Sequence, residues 1–253
     1  MVDVVLVHDV GHGAWCWGKV WGCLTAPVEH PPRLYAGGRV GKVVTVDLPR
    51  KIIQPGDDPT EPSLDDYVDT VTAAVQAWGL GDVLLVGHGA SAPVVLHAAA
   101  RLEQPPSRVV LLAGILPSEG KSVLDALPRL HRMGLKTSAR MSRLTRREFR
   151  LPKTVIDHVY CRGMDPFDVI QFTGWFSPLP VRFFRSPVYL NDMARPCPVT
   201  YVSLWRDALV PLSLQQKMAS RLDGIEMGPE VDSCHEVMLE RPRELADLLV
   251  KYA

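Results

Sequence analysis

The residues that bear most directly on chemistry are Gly87-His88-Gly89-Ala90-Ser91, which follow the apolar run Val83-Leu84-Leu85-Val86. A strand that breaks through a turn of small residues into a helix presents the residue at the centre of the turn to whatever lies beyond the strand end. Here that residue is Gly89, which has no side chain. A covalent intermediate on a hydroxyl at this point is excluded. Two options remain: chemistry without such an intermediate, or a fold kept after its chemistry was lost. Ser91 does not supply the hydroxyl, because its place in the turn directs it into the helix. Asp9, just beyond the apolar run Val2 to Val7, is a second group of interest. It reads either as an acid/base group or orienting acceptor, or as a carboxylate capping nearby backbone N–H groups.

These groups need a frame to hold them. The chain has 253 residues, 47% of them hydrophobic, which suits one sizeable core. Its 28 basic and 28 acidic residues cancel, so the overall charge calls for neither nucleic acid nor an anionic membrane. Cys16, Cys23, Cys161, Cys197 and Cys234 are odd in number and lack metal-ligand spacing, as expected of reduced thiols in a cytoplasmic protein. No apolar run approaches the roughly 18 residues of a membrane span. Six short runs are apolar: Val2 to Val7, Val43 to Val46, Val83 to Val86, Val109 to Leu112, Val199 to Leu204, and a weaker one from Ile225 to Met227. Continuous apolar strands are buried on both faces and predict a parallel sheet. Between them, Ser63 reads as the N-cap of a helix with Leu64, Tyr67, Val68, Val71, Ala74, Val75 and Trp78 on its apolar face. The alternation predicts a doubly wound α/β fold with a mainly parallel six-stranded sheet flanked by helices, and ligands at the carboxyl ends of the strands.

Residues 116–197 interrupt the alternation with helical patches and prolines and no buried strand, and read as an inserted helical cap on a core of residues 1–115 and 198–253. The first half of the cap is basic: Arg129, Arg132, Lys136, Arg140, Arg143, Arg146, Arg147, Arg150 and Lys153 stand against Asp125 and Glu148. This is either a solvated helical face or a docking patch for an acidic carrier protein or anionic substrate. The second half is aromatic, with Phe167, Phe172, Trp175, Phe176, Phe183, Phe184 and Tyr189. Phe172, Trp175 and Phe176, with His88, are the expected substrate-binding set, the alternative being that they pack the cap onto the core. The proline- and glycine-rich stretch Thr25 to Lys42 reads as a surface loop.

Four separated motifs carry a family resemblance. Val5-Leu6-Val7-His8-Asp9-Val10-Gly11-His12-Gly13-Ala14-Trp15-Cys16-Trp17 resembles the first strand and oxyanion loop of the esterase, methylesterase and hydroxynitrile lyase branch of the α/β-hydrolase superfamily. Gly87 to Ser91 resembles its nucleophile elbow, G-x-S-x-G, with Gly89 at the nucleophile position. Tyr201 to Pro211 is similar to the strand end bearing the acid, which implies Asp207. Ser233 to Pro242 is similar to the loop bearing the catalytic histidine, which implies His235. The resemblance implies the α/β-hydrolase fold, and an oxyanion hole made of the Val10 and Ala90 N–H groups. Asp207 would fix the tautomer of His235, leaving the other ring nitrogen as a base near neutral pH. Asp9 departs from the pattern, standing where esterases have glycine and hydroxynitrile lyases a hydroxyl residue. His8 and His12 flank the oxyanion loop and read as structural.

Three readings follow. In the first, His235 is the general base of a cofactor-independent enzyme acting on an apolar, polyketide-like carbonyl compound by cyclisation, elimination, isomerisation or carbon–carbon cleavage. In the second, it activates water against an ester, lactone or epoxide. In the third, the chain is a ligand-binding pseudo-hydrolase without turnover. No cofactor or metal is expected, since Gly87-His88-Gly89 does not extend to G-x-G-x-x-G and no ligand spacing is present. The expected partner is a small apolar molecule, with no nucleic acid and no membrane; a homodimer and an acidic carrier at the basic cap are further options.

Overall fold

The protein is described by a computed structural model over residues 1–25, 40–50, 61–145, 148–191 and 193–253. Most of the Thr25 to Lys42 stretch, and Arg146 and Arg147 of the basic run, lie outside the described residues. Six strands, β1 (Val2–Val7), β2 (Val40–Val46), β3 (Val83–His88), β4 (Arg108–Leu112), β7 (Val199–Leu204) and β8 (Ile225–Val231), form one sheet in the order β2-β1-β3-β4-β7-β8. Every pairing in it is parallel. The two-residue strands β5 (Lys121–Ser122) and β6 (Pro187–Val188) make a separate antiparallel ribbon, which sequence periodicity could not show in so short a span.

The apolar strands feed two cores at once because successive side chains point to opposite faces. Val5, Val7, Leu85, Val109 and Leu111 fall on one face; Val4, Leu6, Leu84, Val86, Val110 and Leu112 fall on the other. The first is covered by α2 (Leu64–Ala77) and α3 (Ala92–Arg101), the second by α1 (Gly18–Thr25) and α11 (Pro242–Tyr252). Between β4 and β7 come α4 (Val123–Ala126), α5 (Arg129–Thr145), α6 (Lys153–Val155), a π-helical turn Ile156–Tyr160, α7 (Pro166–Trp175) and α8 (Val181–Arg185). Two further helices, α9 (Leu212–Ala219) and α10 (Val237–Glu240), flank β8 in sequence. No helix among the described residues is long and apolar enough to cross a membrane.

Ser63 caps α2 as expected, in a capping box with Asp66. Trp78 does not join the apolar face: the helix ends at Ala77, Trp78 is its C-cap, and the side chain is 58% exposed. The weak strand β8 runs on past Met227 to Val231 as an edge strand, where Pro229 costs no ladder bond and a register irregularity opposite Tyr201 and Ser203 absorbs Gly228.

The strand order fixes where a site can form. From β1 the chain goes to one side, to β2, and then returns to β3 on the other, so helices leave to opposite faces and a crevice opens beyond the carboxyl ends of β1 and β3. Asp9 follows β1, Gly89 follows β3, Asp207 follows β7 and His235 follows β8.

Candidate active site

Parallel register brings the first two of these together. Val7 pairs with Gly87, so residues two further on, Asp9 and Gly89, leave the sheet side by side. Gly89 has φ +55, and Ser91 closes the turn by accepting from the His88 N–H at 2.9 Å and donating to the His88 carbonyl at 2.8 Å. That left-handed backbone favours glycine, and space demands it more strongly. A Cβ at residue 89 would lie 2.3 Å from Asp9 Oδ2 and 2.5 Å from Asp9 Cγ. The Asp9 carboxylate takes up the volume a side chain at residue 89 would need.

Asp9 Oδ1 accepts from the Val10 N–H at 2.6 Å and the Ala90 N–H at 2.7 Å. Asp9 Oδ2 lies 3.1 Å from His235 Nε2, and His235 Nδ1 lies 2.7 Å from Asp207 Oδ2. Asp207 Oδ1 in turn accepts from the Leu209 and Val210 N–H groups at 2.8 and 2.9 Å. The imidazole therefore sits between two carboxylates, each with its far oxygen pinned by two backbone donors. All three side chains are buried. The Val10 and Ala90 N–H groups, which the resemblance pairs as an oxyanion hole, converge on one acceptor, and that acceptor is Asp9 itself.

Charge follows from this geometry. Burial alone would raise the Asp9 carboxyl, but the hydrogen bond from His235 and the nearby charges of His12 and His235 outweigh it and hold it to about 2. Burial alone would lower His235, but the charge and hydrogen bond of Asp207, then the bond to Asp9, raise it well above the usual imidazole value. The two flanking carboxylate oxygens favour the charged form of the His235 ring over the free base expected near neutral pH. The two shifts act in opposite pH directions. The depressed carboxyl contributes stability that is complete above 3.8 and lost as pH falls toward about 2. The raised imidazole contributes stability that is complete below 6.5 and lost as pH rises through its higher folded value. In ¹⁵N NMR, both ring nitrogens of His235 are expected to carry protons at pH 7, and a neutral ring there would refute this charge assignment.

Other residues close the site from behind and above. His88 Nε2 donates to the His235 carbonyl at 2.9 Å, and burial, then the His235 charge, drive His88 well below its usual value, so it is a neutral support for the His235 loop. His8 donates from Nδ1 to the Asp9 carbonyl at 2.7 Å and accepts the Leu48 N–H at 3.0 Å, fixing the loop that carries Asp9. Phe172 and Phe176 are buried against the His12 ring, at centroid distances of 5.0 and 5.5 Å. Phe176 and Leu179 also press on Gly11, where a Cβ would meet either at 2.7 Å, and Ser177 N donates to the Gly11 carbonyl at 2.7 Å. Trp175 is half exposed and, with Phe176, Trp15, Arg50, Arg150 and Ser177, lines a cavity of about 270 Å³.

Sequence reasoning missed two groups here. Glu236, fully buried, holds both oxygens 3.0 Å from His12 Nε2, and this ion pair lies beside the first one. Its signal was its position next to His235, which puts a second carboxylate on the same loop. Tyr160, left out of the aromatic set, packs edge-on to His235 at 5.5 Å. Two groupings, Asp9-His88-His235 and His12-His88-Glu236, bring ligand-type atoms within 4.8 Å. In each, a carboxylate and an imidazole already satisfy one another, so a cation there would have to displace a proton from a paired ring.

Comparisons with known proteins agree with this architecture. A family model described as Alpha/beta hydrolase family matches residues 4–248. The chain is 27% identical over 266 residues to the "Probable esterase PIR7A" of Oryza sativa subsp. indica, covering 98% of this chain and 95% of that protein. Among solved structures, an extracellular alpha/beta-hydrolase from a Paenibacillus species is similar with TM-score 0.83 and 18% identity, covering 100% of this chain and 99% of that one. Tomato Methylketone Synthase I complexed with 2-tridecanone is similar with TM-score 0.69 and 18% identity, covering 99% and 96%.

Proposed function

The chain belongs to the alpha/beta hydrolase family, and from that premise we propose that it is an enzyme whose reaction forms no serine ester, the Asp9–His235–Asp207 chain delivering and collecting a proton on a small apolar substrate without a cofactor. The observation that supports this is the seat of Asp9. Its Oδ1 sits on the two N–H groups that would hold an oxyanion, and its Oδ2 takes the volume beside Gly89 where the family's pattern G-x-S-x-G has serine. Gly89 thus stands at the nucleophile position, and Asp9 is the group His235 meets there.

On a carbonyl compound, the pair can protonate one atom from His235 and deprotonate another with Asp9. Elimination, isomerisation, cyclisation and carbon–carbon cleavage each need such a transfer, worth roughly 10² to 10⁴ in rate. The substrate oxygen reaches the Val10 and Ala90 N–H groups once Asp9 Oδ1 moves off them. Phe172 and Phe176 above the site favour an apolar substrate, met in the cytoplasm. A second reading, hydrolysis of an ester, lactone or epoxide by an activated water, is favoured by the esterase relatives.

Both readings share one test. Treated with a serine-directed fluorophosphonate, the intact protein is expected to keep its mass. A stoichiometric adduct that blocks turnover would end both.

A further inference from the structure

The cap helix α5 (Arg129–Thr145) presents most of its apolar side chains away from the protein. A helix lying on a globular core ordinarily points its apolar stripe inward. In α5 only Leu135, among the large apolar side chains described, packs against the core. Leu130, Met133, Met141 and Leu144 are between 53% and 82% exposed. With about 100° between successive residues of a helix, these four fall in one arc of about 80°, and Leu135 lies on the opposite side. Exposed contiguous apolar surface of this kind marks a contact.

The cations sit beside that arc and not behind it. Arg129, Arg132, Lys136 and Arg140 occupy a neighbouring arc that is also about 80° wide. Lys136 lies 3.4 Å from Asp125 Oδ1, and Arg132 donates to the Asp125 carbonyl at 3.3 Å. Asp125 is the only acidic residue these four meet among the described residues. The expectation of no membrane contact rested on a net charge of zero, which is a balance over the whole chain. Locally it fails: the 17 residues of α5 contain five cations and no acid.

We propose that the outer face of α5 docks on a lipid surface bearing anionic headgroups, with the helix lying in the plane of the interface. Its length of about 25 Å then runs along the surface. Leu130, Met133, Met141 and Leu144 enter the boundary of the acyl layer, and the flanking cations reach the headgroup phosphates. A lipid surface supplies both halves of this face at once, an apolar layer and a plane of negative charge above it. A second copy of the chain does not, since apposing two such faces sets cation against cation. The contact is independent of the reaction proposed above.

The test uses the full-length protein with vesicles of phosphatidylglycerol and phosphatidylcholine in equal parts, against vesicles of phosphatidylcholine alone. The protein is expected to pellet with the first and not with the second at about 0.1 M salt, and to be released toward about 1 M as screening shortens. Arg129→Gln with Arg140→Gln is expected to weaken binding about 25-fold, roughly fivefold for each charge. Leu130→Asn with Leu144→Asn keeps the charge and is expected to weaken it at least about tenfold. All four side chains are exposed, so both variants are expected to melt with the parent. Lys217→Gln with Lys251→Gln removes the same charge from exposed positions on α9 and α11, and is expected to leave binding unchanged. Equal loss from that control, full binding by either α5 variant, or failure to pellet with the anionic vesicles would overturn the proposal. A soluble dimer that the leucine variant dissociates would overturn it in favour of a second copy on this face.

Discussion

Gly89→Ser is expected to abolish the native turnover without yielding an esterase, whereas Asp9→Gly combined with Gly89→Ser yields one. The reason is volume. A Cβ at residue 89 meets Asp9 Oδ2 at 2.3 Å and Cγ at 2.5 Å, with φ +55 adding backbone strain. Strain of that kind costs about 1–3 kcal/mol. The carboxylate must then leave the Val10 and Ala90 N–H groups, and a buried charge that loses its donors and its imidazolium partner costs several kcal/mol more. The single variant is therefore expected to melt lower and to hydrolyse p-nitrophenyl acetate no faster than buffer. Removing Asp9 as well frees both donors and the space. A serine hydroxyl then faces His235, still oriented by Asp207, which is the arrangement acyl transfer requires. Stoichiometric acetylation of the double variant is the expected readout. An esterase from Gly89→Ser alone would mean that Asp9 does not occupy this volume in solution.

His235→Ala is expected to have the larger effect on stability. It leaves Asp9 and Asp207, both buried, facing each other across the space of the lost ring. Breaking a buried ion pair by removing one partner costs about 3–5 kcal/mol, and turnover should fall by roughly 10² to 10⁴. The loss depends on pH with a definite sign. Without the imidazolium, burial dominates and the Asp9 carboxyl rises above its unfolded value, so the folded state binds a proton that the unfolded state releases. The variant's deficit against the parent should then shrink as pH falls from 7 toward 4 and the carboxylates protonate. Asp9→Asn added to His235→Ala should recover part of the stability, since the two positions are in contact and do not add. Urea unfolding at pH 7 and pH 4 measures both. A deficit that grows on acidification would show that the two carboxylates do not carry this charge.

Much of the architecture could be read from the chain because its signals are local. Val4 to Val7, Val83 to Val86 and Val109 to Leu112 are apolar at every position, and only strands buried on both faces tolerate that. Ser63 and Asp66 lie one helical turn apart and cap the same helix end. Asp207 and His235 were implied by motifs that each fit within about ten residues of sequence. The edge strand β8 was underestimated because half-exposed strands carry little apolar signal, and Trp78 was misplaced because periodicity alone does not say where a helix stops.

By itself the sequence determined the parallel sheet, the absence of a side chain at Gly89, and the identities of the imidazole and carboxylates that follow the strands. Only the tertiary structure decided what those groups are to each other. The register of β1 against β3 sets Asp9 beside Gly89, 80 positions apart, so that one residue's missing side chain is the other's space. The strand order sets His235 against Asp9 and Glu236 against His12, more than 220 positions apart. Proximity then decides charge, because burial alone would favour the neutral form of each group, and the hydrogen bond and opposite charge of the partner at 3.1 Å outweigh it. No local pattern encodes a distance across the sheet, and in this protein that distance separates a pair of backbone N–H groups open to a ligand from a pair that holds the chain's own Asp9 carboxylate.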